Sequence, residues 1–255
     1  HSFPTRRSSD LSEDKDIQII PRFGNFNGVM KKIHFVGKHA GRRFSVSEYI
    51  EGKKLSEVIY QKNPKEYVKQ LTRFFNNCKK IKMRGFGRLN SEFEGIHPTW
   101  ESFILKLEGD LFSRTQSLKL LDEKEKEAIK QKTKRILNNK KIKPTLVPVD
   151  LNLSNFIIDK KNQLRVIDIG SWFSGDPEFA YGLMLMHAWK TPLHKQLIAN
   201  KQKEKLISYS FLESLSILAF NQKQQRGGIE SLKPFGNKSR VLDILEEQKK
   251  ELINA

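Results

Sequence analysis

The stretch that decides the fold runs from Leu146 to Ala180: LVPVDLNLSNFIID over 146–159, then QLRVIDIGSWFSGDPEFA over 163–180. Two short apolar runs, Phe156-Ile157-Ile158 and Leu164 with Val166-Ile167, flank the polar Asp159-Lys160-Lys161-Asn162. That pattern predicts a β-hairpin with a polar tip. Asp150 and Asn155 fall on the loop entering its first strand, and Asp168 closes its second. The hairpin therefore gathers three oxygen-bearing side chains at one end. Such a set suits phosphoryl transfer from a nucleotide. One carboxylate orients a hydroxyl and takes its proton, while an amide oxygen and a second carboxylate hold Mg²⁺ against the phosphates. Asp and Asn are also ordinary turn formers. The ordered set, with strands between its members and Gly175-Asp176-Pro177 behind it, outweighs a reading as turns alone.

Read together, these residues resemble the aminoglycoside phosphotransferase-like (choline-kinase-like) branch of the protein-kinase-like fold. That family's catalytic loop reads roughly His-x-Asp-x-x-x-x-Asn. Its metal loop reads Ile-Asp-[Phe/Trp]-[Gly/Glu], commonly followed by Gly-Asp-Pro. Here the matching residues are Asp150, Asn155, Ile167-Asp168-Ile169-Gly170 and Gly175-Asp176-Pro177. The resemblance implies that Asp150 is the catalytic base, that Asn155 and Asp168 are metal ligands, and that Asp176 braces the catalytic loop. Pro148 stands where the family usually has His, two residues before the base. A second match lies upstream. Gly85-Phe86-Gly87, with Trp100-Glu101-Ser102-Phe103, resembles the family's Gly-[Trp/Tyr/Phe]-Gly loop and the helix start after it.

The implied fold class is α+β: a truncated β-rich N-lobe, then a mainly helical C-lobe. Residues 1–11, HSFPTRRSSDL, resemble a translated sequencing-adaptor segment and are set aside as non-native. Residues 12–52 are read as the remnant of the N-lobe and hinge, and 53–255 as the C-lobe with the catalytic and metal loops. Ile17 to Pro21 leads in, and Lys32–Val36 and Arg43–Ser47 should pair as strands across the turn Lys38 to Arg42. Glu48-Tyr49-Ile50-Glu51-Gly52 resembles the family's hinge, which would set the backbone of Glu48, Tyr49 and Ile50 against the adenine of ATP or GTP. Between Gly28 and Glu48 there is no room for the family's phosphate-clamping Lys and its helix Glu, and Gly24-Asn25-Phe26-Asn27-Gly28 is only a Gly-x-x-x-Gly. Reduced turnover is the expectation for a chain lacking that clamp.

From Leu55 the apolar period changes to 3.6. Tyr67, Val68, Leu71, Phe74, Phe75 and Cys78 form one face of a helix begun near Pro64. Gly85 to Leu89 reads as a loop, and Thr99 as the N-cap of a helix carrying Trp100, Phe103, Ile104 and Leu107. Leu121–Leu137, Pro177–Trp189, Leu206–Phe220 and Val241–Ile253 read as further helices, the first with a solvated charged face. Arg226-Gly227-Gly228 is a loop. His187 and His194 have no second ligand at metal spacing and are taken as structural or exposed.

At 255 residues, 37% hydrophobic and 30% charged, the chain can bury a substantial core. No apolar run approaches the length of a membrane span, so no membrane partner is expected. The single cysteine, Cys78, excludes an internal disulfide, fits a cytoplasmic location, and reads as a small core residue. The net charge of +18 is spread through every helix rather than gathered in one arm, which makes nucleic acid an unlikely partner. It would also repel a polycationic substrate at long range. The function expected is an ATP- or GTP-dependent, Mg²⁺-assisted phosphotransferase acting on a hydroxyl of a small molecule. The alternatives are a non-catalytic kinase-like binding module and, behind it, a basic nucleic-acid-binding protein.

Overall fold

The computed structural model describes residues 19, 22–24, 26, 28–39, 42–60, 64–138, 142–199, 201–223 and 241–254. The adaptor-like segment, most of the Ile17–Pro21 lead-in, the tip of the Lys38–Arg42 turn and the Arg226–Gly228 loop lie outside them. Among the described residues no helix is long and apolar enough to cross a membrane.

One long antiparallel ribbon organises the molecule. At its base, β6 (Thr145–Pro148) pairs with β9 (Trp172–Gly175), from Thr145↔Gly175 to Pro148↔Trp172. At its tip, β7 (Phe156–Asp159) pairs with β8 (Leu164–Val166) as the hairpin predicted from the apolar runs. Asp159 holds the tip together: its Oδ1 accepts from the N–H groups of Lys161 and Gln163, while Asn162 takes a left-handed φ of 59°. Pro148 causes no break, because it occupies the last position of β6 and the next ladder bond is made by Val149, whose N–H donates to Ser171 O.

Two further strands complete the sheet at the base, in the order β5-β4-β9-β6, with β4 at Phe86–Leu89 and β5 at Gly95–His97. Gly85–Leu89, expected as a loop, is thus mostly strand. Its two glycines interrupt the alternation that marks a strand. The pairing is imposed by β9, through Gly87↔Ser174 and Arg88↔Phe173, with an irregularity between Phe86 and Leu89. At the tip, β3 (Gly52–Lys54) adds to β7. The expected N-lobe pair forms as β1 (Ile33–His39) against β2 (Arg42–Ser47), a two-stranded sheet with Phe35, Val36, Phe44 and Val46 exposed.

Residues ahead of β1 turn inward. Val166 N donates to Val29 O and Lys31 N to Val166 O, so this segment lies parallel to β8. Phe26 is buried, stacked on Trp172 at 5.6 Å and edge-on to Phe74. Phe26 is therefore a core anchor.

The helices are α1 (Leu55–Val58), α2 (Pro64–Lys80), α3 (Trp100–Arg114), α4 (Glu123–Asn138), α5 (Glu178–His187), α6 (Pro192–Ile198), α7 (Lys203–Lys223) and α8 (Val241–Ile253). On α2 the predicted face is buried at Tyr67, Leu71, Phe74, Phe75 and Cys78, and burial pushes the Cys78 thiol well above its ordinary pKa, as befits a core residue. Thr99 caps α3 as expected, its hydroxyl accepting from Ser102 N. A reciprocal capping box opens α4: Asp122 Oδ1 accepts from Glu125 N and Glu125 Oε2 from Asp122 N. The charged face of α4 is not wholly solvated. Lys132 is buried against Glu204 of α7, and Thr133 donates to the buried Glu108 of α3. Every residue of α5 from Phe179 to His187 is buried, which makes α5 a core helix, packed on α7.

Candidate active site

The ribbon's two ladders bracket the site. Below it, Val149 N reaches Ser171 O; above it, Ile167 N reaches Asn155 O at 2.9 Å. Between these bonds one strand runs through residues 150–154 and the other through 168–170. The two bulging segments are pinned at both ends to each other, so Asp150, Asn155 and Asp168 share one patch. Buried Leu151 and Leu153 root the first segment in the core, while Asp150, Asn152 and Asn155 stay half-buried. Asn152 Oδ1 accepts from Ser154 N and Oγ, which turns the chain through a short 3-10 helix into β7. On the second segment Ile169 is fully buried, Gly170 takes a φ of +64° that favours glycine, and Ser171 N closes back on Ile169 O. Those constraints leave Asp168 half-buried, one residue after the backbone bond from Ile167 to Asn155.

Asn155 joins the parts. Its Nδ2 donates to both the carbonyl and the Oδ1 of Asp150, each at 3.2 Å. With the amide nitrogen committed to Asp150, the amide oxygen is the atom Asn155 has left to offer a metal. Among the described residues no three His, Cys, Asp or Glu side chains come together as a metal site. One amide oxygen and one carboxylate nonetheless fit Mg²⁺, which keeps phosphate and water as its remaining ligands.

Glu48 is tied to the hairpin by charge. Glu48 Oε1 accepts from Arg165 of β8 at 2.6 Å and from Lys32 N at 2.7 Å. The Glu48 amide donates to Lys32 O; Tyr49, next in the chain, is 88% exposed, and the Ile50 side chain is buried.

Asp176 is buried at the start of α5. Its Oδ1 accepts from Glu178 N, and its Oδ2 from Tyr209 OH at 2.8 Å and Lys205 Nζ at 2.5 Å; Tyr209 OH in turn accepts from Trp100 Nε1. None of its contacts runs to the backbone of 150–155 among the described residues. It locks α5, α7 and α3 together beside β9. Burial opposes the Lys205 charge, but Asp176 and Glu178 more than offset it, and the ammonium pKa is raised.

A cavity of about 790 Å³ opens beside Asp150. Its walls come from β4, β9, α3, α5 and α7. His187, buried rather than exposed, meets Glu213 of α7 there, Nε2 to Oε1 at 3.3 Å. Glu213 was not singled out from the sequence. The available signal is a lone acid within the apolar run Phe211-Leu212-Glu213-Ser214-Leu215. A larger groove, about 1050 Å³, lies between α2 and the hairpin tip and is lined by Arg73, Lys79, Lys82 and Lys161. It contains none of Asp150, Asn155 and Asp168, and its lining suits a solvated basic face; of these three residues Asp150 lines the smaller cavity.

No family model matches the sequence, and no curated protein matches it. Solved structures do match in fold. A thermostable variant of aminoglycoside phosphotransferase APH(4)-Ia, in ternary complex with ADP and hygromycin B, superposes with a TM-score of 0.69 at 13% identity, covering 93% of this chain and 82% of that one. APH(2")-IIa in complex with gentamicin gives 0.59 at 19% identity, covering 99% and 83%. Choline kinase LicA from Streptococcus pneumoniae gives 0.59 at 13%, covering 96% and 81%. These are protein-kinase-like structures, and the fold of this chain is protein-kinase-like.

Proposed function

We propose that this chain, built on the protein-kinase-like fold, is a nucleotide-dependent phosphotransferase acting on a hydroxyl of a small molecule. The observation that carries the reading is the doubly pinned ribbon. It holds Asp150 against Asn155, with Asp168 on the opposite segment, and Asp150 lines a cavity large enough for a drug-sized compound. Asp150 orients the acceptor hydroxyl and takes its proton as the oxygen attacks the terminal phosphate of ATP or GTP. Holding that carboxylate is the work of Asn155, whose amide fixes both its backbone and its side chain. Asn155 and Asp168 are the residues that would hold Mg²⁺, which when bound offsets charge on the phosphates. The adenine or guanine edge lies against the backbone of Glu48, Tyr49 and Ile50, with N–H donors at Tyr49 and Ile50. Asp176 supports the site from behind. A cytoplasmic location is part of this reading, supported by the proposed nucleoside triphosphate substrate and the single cysteine of the sequence.

The test is phosphate transfer to a panel of hydroxyl compounds with Mg²⁺ and ATP or GTP, comparing the wild type with Asp150→Asn. Loss of the base should lower transfer by roughly 10²- to 10⁴-fold. Equal transfer by the two proteins rejects Asp150 as base. No transfer by either, with nucleotide still bound, favours the non-catalytic binding module.

A further inference from the structure

We infer that the groove between α2 and the hairpin tip binds a chain of linked phosphates, a linear polyphosphate, through cations supplied by three separate stretches of the fold. The site contains none of Asp150, Asn155 and Asp168 and stands independently of the phosphotransferase reading. The groove encloses about 1050 Å³. Arg73, Lys79 and Lys80 come from α2, Lys82 from the stretch after it, and Lys161 from the hairpin tip. All five are exposed, and none has a carboxylate partner among the described residues. A sixth cation, Arg165, is already committed to Glu48 and is not counted. The acid of the lining is Glu66, whose Oε1 accepts from Gln70. Five cations against one carboxylate leave an excess of four positive charges.

The backbone fixes where these charges stand. Gln70 fastens α2 to the tip: its Nε2 donates to Asn162 O at 3.2 Å, and its Oε1 accepts from Leu164 N at 2.6 Å. Lys82 lies between two bonds to β6 and its approach, Leu146 N to Ile81 O and Met83 N to Pro144 O. Lys161 N is held by Asp159 Oδ1. Lys79 and Lys80 alone would suit the C-terminal turn of α2, where the helix dipole favours cations. Arg73, Lys82 and Lys161 bring three more into the same groove from outside that turn. Like charges gathered in this way repel, and a cleft lined by one sign of charge concentrates counter-ions of the other. What the lining lacks selects the anion. Among the described residues no aromatic ring lines the groove, so a single-stranded nucleic acid would find nothing on which to stack its bases. An extended acidic peptide turns successive side chains to opposite faces and offers one wall every second charge. A phosphate chain carries charge at every link, and its oxygens accept from lysine, arginine and the amides of Asn76 and Asn77 alike.

Isothermal titration of the full chain, with no nucleotide or divalent metal present, tests this with three probes matched in charge: linear polyphosphate, single-stranded oligothymidylate and poly-glutamate. Polyphosphate should bind about tenfold or more tighter than either of the others. Tightest binding of oligothymidylate assigns the groove to nucleic acid, and tightest binding of poly-glutamate assigns it to an acidic protein segment. Either result, or equal binding of all three, overturns the inference, and this comparison uses the wild type alone. Combining Arg73→Gln, Lys82→Gln and Lys161→Gln should weaken polyphosphate binding about tenfold or more. Removing the same charge from exposed positions of α3 and α4, by Lys106→Gln, Lys124→Gln and Arg135→Gln together, should weaken it by less than about threefold. Equal weakening in the two triple variants overturns the inference, because it leaves only the general attraction of a chain of net charge +18. Polyphosphate binding lost in Asp168→Asn but kept in the groove variant also overturns it, by moving the phosphates to the ribbon.

Discussion

Glu108 on α3 offers a perturbation whose size follows from the structure. The residue is 1% exposed, and its Oε1 accepts from Thr133 of α4. Burial raises its pKa from 4.5 to about 7, with the Thr133 hydroxyl and Lys130 holding it lower than burial alone would. A carboxyl whose folded pKa lies above its unfolded one is harmless when protonated and costly when ionised. The cost begins as pH rises past 4.5 and is complete above about 7. A shift of that size corresponds to ~3 kcal/mol at pH 8 and less than ~1 kcal/mol at pH 5. Glu108→Gln keeps the shape and an oxygen for Thr133 but cannot ionise. It should be close to neutral at pH 5 and stabilising by up to ~3 kcal/mol at pH 8, or roughly 5–10 °C in Tm for a chain of this size. Urea unfolding of both proteins at pH 5, 6, 7 and 8 isolates the effect, since every other titrating group is common to the pair. A stability difference that does not change across this range would refute the assignment of a buried, pH-sensitive carboxyl at the α3–α4 interface.

Lys205→Met removes the cation from Asp176 and leaves the buried carboxylate with Tyr209 and the Glu178 amide; a loss of ~3–5 kcal/mol in chemical denaturation is expected. Gly175→Ala places a methyl group on the Trp100 ring, which is fixed by its bond to Tyr209; ~1–3 kcal/mol should be lost, and near-UV circular dichroism should report a moved Trp. Asp168→Asn should weaken nucleotide binding in the presence of Mg²⁺ while leaving Mg²⁺-free binding unchanged, measured with a fluorescent nucleotide. Equal weakening in both conditions would argue against a metal role for Asp168.

Local chemistry made part of this protein legible in one dimension. Alternating apolar residues on either side of Asp159–Asn162 specify the hairpin, 3.6-residue spacing specifies the buried face of α2, and a hydroxyl at Thr99 specifies where α3 begins. The order of Asp150, Asn155 and Asp168 along that hairpin is likewise a property of the chain. What the chain could not reveal depends on partners far away in sequence. Phe86–Leu89 becomes a strand only because β9 lies beside it, Glu48 is committed by Arg165, and Asp176 is claimed by Lys205 and Tyr209 of α7. Glu213 faces a cavity only once α5 and α7 have packed against the ribbon. Hydrogen bonds at a tight hairpin tip or at a helix end are set by residues a few positions apart. The direction of a buried charge is set by whichever distant group offsets its desolvation, and only the packed structure decides which group that is.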